Sequence, residues 1–240
     1  MAVPTRRERV CAEREQHILA VAREQLQQDG LLGLQMTRVA RACGIAVGTL
    51  YQHLACKEDL LLALATESVR ESVAMYRRAS AWQAGSRERM QAIVLADSLL
   101  TERHPEQFRL MQYALCEVVW QAASSTRRAA FLAANEPIAE IVRGIAEDAR
   151  AAGDLPPGDL GPLEITTACW SLALGVQNLT HVDGMLQHFQ MAPGCDLLAR
   201  YMAHLLNGLG WQPLMDPADS GALRALYERI QHEVFDDVSA

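Results

Sequence analysis

An all-α protein is predicted by three observations. Aromatic residues make up only 5% of the 240 positions, while Ala, Leu, Arg and Glu recur throughout, a balance that favours long helices over sheets. Apolar residues return every three or four positions rather than every two. Glycine and proline fall at the ends of these periodic runs, where they start or stop helices. Half of the chain is apolar, enough to bury a substantial core.

The first helix is expected over 13–28, where Ile18, Leu19, Ala22 and Leu26 share one face and Asp29-Gly30 supplies the stop. Residues 1–12 are expected as a flexible arm. Its Arg6, Arg7 and Arg9 suit either a solvated tail or a minor-groove contact. Short helices over 36–43 and 46–54 flank Gly44, which can take the positive φ of a sharp turn. Ala40 allows close helix crossing, and Ile45 and Leu50 can point back toward Val39 and Leu54.

A long connector is expected from Lys57 to about 79, with Leu60, Leu61, Leu64, Val69, Val73 and Tyr76 facing inward. Further helices are expected over 86–103, 105–122, 126–152, 162–182, 194–209 and 219–235. Pro105 and Pro162 suit a first helical turn, whereas Pro137 is expected to kink or split its helix. The domain reading is an arm over 1–12, a three-helix unit over 13–56 and a larger helical body over 57–240.

Charge is unevenly divided. Residues 1–64 carry eight basic groups against seven acidic, and the remaining 176 carry fourteen against twenty-two. One end can therefore approach a polyanion that repels the rest. Lys57 is the only lysine. No apolar run follows the N-terminal arginines, and the least charged stretch, 165–182, holds Thr166, Thr167, Gln177, Asn178 and His181. Neither a secretory segment nor a membrane span is expected, and the cytoplasm is the expected location. The six cysteines are scattered without a CxxC pair, and read as small hydrophobes in a reducing compartment.

A helix, a tight turn and a second helix put the second helix into a major groove. Val47, Gly48, Thr49, Gln52 and His53 form a small, polar outer face. Thr49 and Tyr51 offer hydroxyls and His53 a ring N–H to phosphates. Residues 14–64 resemble the N-terminal domain of the TetR family of bacterial repressors. The match runs through Ile18-Leu19-xx-Ala22, Gly30, Val39-Ala40, Gly44-Ile45, Gly48-Thr49-Leu50-Tyr51-x-His53 and Lys57-Glu58-x-Leu60-Leu61. The resemblance implies that Lys57, at the start of the fourth helix, meets a DNA phosphate. It also implies that Thr49, Tyr51 and His53 touch the backbone and that Thr37 and Val47 lie nearest the bases. Val47 can meet only a thymine methyl, so Thr37, Arg38 or Gln52 and DNA shape are expected to carry specificity. Ala46 and Gln35 stand where the family has Ser or Thr caps, each worth about 1 kcal/mol.

Family likeness further implies a homodimer on a palindromic double-stranded operator, formed through helices 162–182 and 194–209, and a ligand pocket in the body. The first of these helices is apolar on nearly every side. The second carries Leu197, Leu198, Tyr201, Met202, Leu205 and Leu206, a stripe too wide for one neighbour. Candidate pocket residues are Met75, Met111, Tyr113, Cys116, Trp120, Trp170, Gln177 and Asn178, which suit an apolar or aromatic small molecule. No cofactor is expected. His181, Asp183 and His188 were weighed as a metal site, and Cys43 and Cys56 as a redox switch, beside the alternative of an interaction protein without DNA binding. No ExxH pair, HExxH, GxSxG, GxGxxG or GxxxxGK motif is present, so an enzyme is not expected.

Overall fold

A computed structural model describes residues 5–236, in which twelve α-helices and no strands occur. Packing divides the chain into two units: residues up to 70 with 104–135, and 71–103 with 136 onward. The first holds α1 (Arg6–Gly33), α2 (Met36–Ala42), α3 (Val47–His53), the start of α4 (Lys57–Ala81), α6 (Pro105–Ala114), α7 (Glu117–Ala122) and the start of α8 (Ser125–Ala152). The second holds the remainders of α4 and α8 with α5 (Ser86–Arg103), α9 (Pro162–Thr180), α10 (Met185–His188), α11 (Gly194–Gly208) and α12 (Ser220–Phe235).

α1 begins seven residues earlier than its apolar pattern suggested. The Thr5 hydroxyl accepts from the Glu8 N–H and the Glu8 carboxylate accepts from the Thr5 N–H, a capping box that starts the helix inside the expected arm. Arg6, Arg7 and Arg9 are therefore helical and exposed, while residues 1–4 of that arm lie outside the described residues. Gly30 breaks the regular helix at φ +68°. Ile18, Leu19, Ala22 and Leu26 are buried with Leu34, Met36, Val39, Ala40, Leu50, Leu54 and the first leucines of α4.

The helix expected over 105–122 is two helices. Cys116 is extended at φ −68°, ψ 147°, and separates α6 from α7. No glycine or proline marks the break; instead Arg128 collects the carbonyls of Trp120, Gln121 and Ala123, the orphan acceptors of the α7 C-terminus. Pro137, expected to kink or split α8, sits inside an unbroken helix. One turn earlier the Asn135 amide donates to the Phe131 carbonyl at 2.9 Å, supplementing the ladder that proline depletes.

In the second unit α9 packs on α11, and α12 packs on α5 and α11. The wide apolar stripe of α11 is accounted for within the chain: Leu197, Leu198, Met202 and Leu206 are buried among these neighbours, and the exposed side holds Cys195, Arg200 and His204. α12 buries Leu223, Leu226, Ile230 and Val234, and Trp82 Nε1 donates to Glu233 at 2.9 Å. Residues 237–240 lie outside the described residues. Arg87 is buried with no carboxylate: its guanidinium donates to the carbonyls of Trp211 and Ala203 and to Asn207 Oδ1. Burial brings its pKa down to about 10, so it stays charged at neutral pH. The fully buried Trp211 donates to Ser86 Oγ at 3.0 Å.

Candidate nucleic-acid interface

The turn between α2 and α3 is a Schellman motif. Ile45 N–H reaches the Ala40 carbonyl at 3.0 Å and Gly44 N–H the Arg41 carbonyl at 3.1 Å, with Gly44 left-handed at φ +65°. Ala40 and Leu50 are buried at the crossing, whereas Ile45 is only half-buried. Gln35 and Ala46 precede α2 and α3, and neither helix receives a side-chain cap.

This turn leaves one face open. Thr37, Val47, Gly48, Tyr51 and Gln52 are exposed, and Thr49, His53 and Lys57 are half-buried. No heavy atom lies within 4 Å of where a Gly48 Cβ would stand, so the helix meets nothing of its own chain there. Arg38 is partly committed elsewhere: it pairs with Asp29 at 2.7 Å and reaches the Gly33 carbonyl at 3.4 Å, tying α2 to the end of α1. Arg41, exposed at the last turn of α2, adds a cation beside the turn.

The face is held from behind by residues that periodicity could not single out. Asp59, 3% exposed, accepts from Ala55 N–H at 3.1 Å and from Ser124 N–H at 2.7 Å, joining the start of α4 to the loop before α8. Arg127 donates to the His53 carbonyl at 3.0 Å and to Glu15 at 2.7 Å. The Glu15 bond raises the Arg127 pKa despite burial. The carbonyl end of α3 is thereby closed by a cation that is itself charge-compensated, a favourable match to the helix dipole. Lys57 follows at the first position of α4, near that helix's positive end. Only the DxxS and Glu/Arg letters themselves hinted at these ties, and such letters are common.

The sulfur atoms lie close to this framework. Cys56 accepts from Asp59 N–H at 3.4 Å and Cys11 lies 3.7 Å from His53 Nδ1. Burial pushes the Cys43 and Cys56 thiols up, disfavouring the reactive thiolate at both positions weighed as a redox switch. Among the described residues no three His, Cys, Asp or Glu side chains group as metal ligands. His181, of the trio weighed for metal, lies 2.8 Å through Nδ1 from the Gln177 carbonyl.

The eight pocket candidates divide equally between the units. Met111, Tyr113, Cys116 and Trp120 belong to the first, where Trp120 meets Phe131 edge-on at 5.8 Å. Met75, Trp170, Gln177 and Asn178 belong to the second. Met75 and Gln177 are buried, but Trp170 and Asn178 lie on the outer face of α9 with Leu163 and Leu179. No helix of the described residues is long and apolar enough to cross a membrane.

Residues 18–64 match the family model described as bacterial regulatory proteins, tetR family. No curated protein matches the chain. Among solved structures, a protein of unknown function from Rhodococcus sp. RHA1 is similar at 26% identity and TM-score 0.63, over 82% of this chain and 95% of that one. A regulatory protein in the tetR family from Rhodococcus RHA1 shares 21% identity with TM-score 0.60, over 83% and 98%. FadR from Bacillus subtilis, solved with stearoyl-CoA, shares 17% identity with TM-score 0.60, over 80% and 98%.

Proposed function

We propose that this chain, which belongs to the TetR family of bacterial regulatory proteins, is a homodimeric repressor that leaves its operator when a small apolar or aromatic molecule binds the helical body. It is a DNA-binding transcription regulator. The observation that carries the reading is the exposed set Thr37, Val47, Gly48, Tyr51 and Gln52 above a buried Ala40 and Leu50, with Lys57 beside it. Thr37 and Gln52 are the base readers in this reading. Thr49, Tyr51, His53 and Lys57 hold phosphates, and Arg38, already paired with Asp29, contributes mainly position.

Residues 13–56 are the DNA reader and 57–240 the body that binds ligand and partner. A second copy is supported by α9, where Leu163, Trp170 and Leu179 keep 48%, 50% and 43% of their surface exposed. A ligand with an apolar body is in keeping with FadR, whose structure holds stearoyl-CoA. Two recognition helices about 34–36 Å apart meet successive major grooves of a palindrome, and the ligand acts by shifting the population away from that spacing. The protein works in the cytoplasm, where the operator and the reducing environment of its free thiols are found.

Fluorescence anisotropy with duplexes from the region upstream of its own gene tests this. Saturable binding at moderate salt that depends on both half-sites is expected. Lys57→Ala lowers affinity for every sequence and makes the salt slope shallower by about one. Binding that is absent, or indifferent to half-site spacing, ends the proposal.

A further inference from the structure

Along α5 the packing changes abruptly. Every residue from Met90 to Ala96 is buried, whereas the four consecutive residues Asp97, Ser98, Leu99 and Leu100, spanning all sides of the helix, are each only partly covered. Burial is nevertheless the largest influence on the Asp97 carboxyl and pushes its pKa up. Its accessible surface therefore faces a recess within the second unit rather than open solvent.

Polar groups from three helices converge on this recess. The Tyr76 hydroxyl of α4 donates to Asp97 Oδ1 at 3.0 Å. On α9, Gln177 is 6% exposed, and its Oε1 lies 3.3 Å from the Thr101 hydroxyl. That contact orients the amide and leaves Nε2 as the free end. Nε2 lies near enough to Asp97 to lower the carboxyl's pKa, yet it makes no hydrogen bond of good geometry. A buried amide donor without an acceptor is costly, and it is most simply explained by an acceptor the chain does not itself supply. Leu99, Leu100, Ile138, Val142 and Leu172 pack partly buried against the same core.

We propose that Gln177, oriented by Thr101 and flanked by Tyr76 and Asp97, is the polar anchor of a small-molecule site in the second unit whose ligand is an uncharged lipophilic carbonyl compound. The ligand's carbonyl oxygen accepts from Gln177 Nε2, and its hydrocarbon body lies against the leucines of α5 and the aliphatic side chains of α8 and α9. Asp97 discriminates by charge: a ligand carboxylate beside it would bring two acids into one low-dielectric recess. The proposal rests on the reading of this unit as the effector-binding body.

Calorimetric titration of the full-length protein with 2-acetonaphthone, 2-ethylnaphthalene, 2-naphthoate and 2-naphthylmethylamine tests it. The ketone is expected to bind roughly tenfold more tightly than the hydrocarbon, and the carboxylate more weakly than either. Gln177→Met abolishes the ketone's advantage while leaving the hydrocarbon unchanged, and Thr101→Val, which frees the amide, gives a loss of about three- to fivefold. Equal binding of ketone and hydrocarbon, no binding of either, or a ketone affinity indifferent to Gln177→Met overturns the proposal. So does tightest binding by the amine with loss in Asp97→Asn, which would mark a cation site. Anisotropy on DNA in parallel separates this claim from the one it rests on. Ketone binding that never weakens DNA binding preserves the site and removes the effector role, whereas failure of every probe with intact DNA binding removes only the site.

Discussion

The two buried arginines show how differently the two units are built. Arg127 in the first has a carboxylate partner, Glu15, and spends its other donors on the His53 carbonyl. Arg87 in the second has no acid and donates to the carbonyls of Ala203 and Trp211 and to an asparagine side chain, beneath a fully buried tryptophan. The first unit wraps a thin core of Ile18, Val39, Leu50 and Leu54 and relies on charged ties to set the angle of a short helix. The second has a wide core from α4 to α12, in which polar groups are fixed by burial. A unit that must present seven helical residues at a defined angle cannot obtain that angle from a few leucines alone.

Predicted effects on this contrast run from large to small. Trp211→Ala should cost about 3–5 kcal/mol, read as a lower urea midpoint of the second unit, because a cavity opens and Ser86 loses its donor. Asp59→Ala should cost about 2–3 kcal/mol by leaving two N–H groups without an acceptor, and DNA affinity should fall with it since α4 and Lys57 lose their anchor. Equal DNA affinity in Asp59→Ala would mean that the ties behind α3 set stability alone. Gly44→Ala should cost about 1–2 kcal/mol through its φ of +65°. A thermal melt showing no change there would separate the turn from the positioning of α3. At the small end, Ala46→Ser should stabilise by about 0.5–1 kcal/mol by supplying the cap that α3 lacks.

What the letters disclosed follows the same division. Gly44, Ala40 and Leu50 announce the α2–α3 turn because each is required by local geometry, and the missing caps at Gln35 and Ala46 were equally readable. Thr5-x-x-Glu8 also carried its own signal, a capping box that the apolar pattern starting near Ile18 obscured. The break at Leu115–Cys116 had no such mark, since the groups that stabilise it come from Arg128 on the next helix. The breadth of the α11 stripe was visible, but periodicity counts apolar faces without saying whether the chain itself or a second copy covers them. Gln177 was legible as a polar residue on an apolar helix; that Thr101 would hold its carbonyl and leave its amide open required the distance between α5 and α9.

Arg127 has a further consequence for how the protein comes into being. The last turn of α3 is tied to a residue 74 positions downstream, so a nascent chain carrying the whole of α3 still lacks that tie. At roughly 5–20 residues per second the ribosome needs about 4–15 s more before Arg127 is made. The recognition helix is thus completed late in synthesis, and a chain truncated before residue 127 would emerge with its DNA-reading end unsecured.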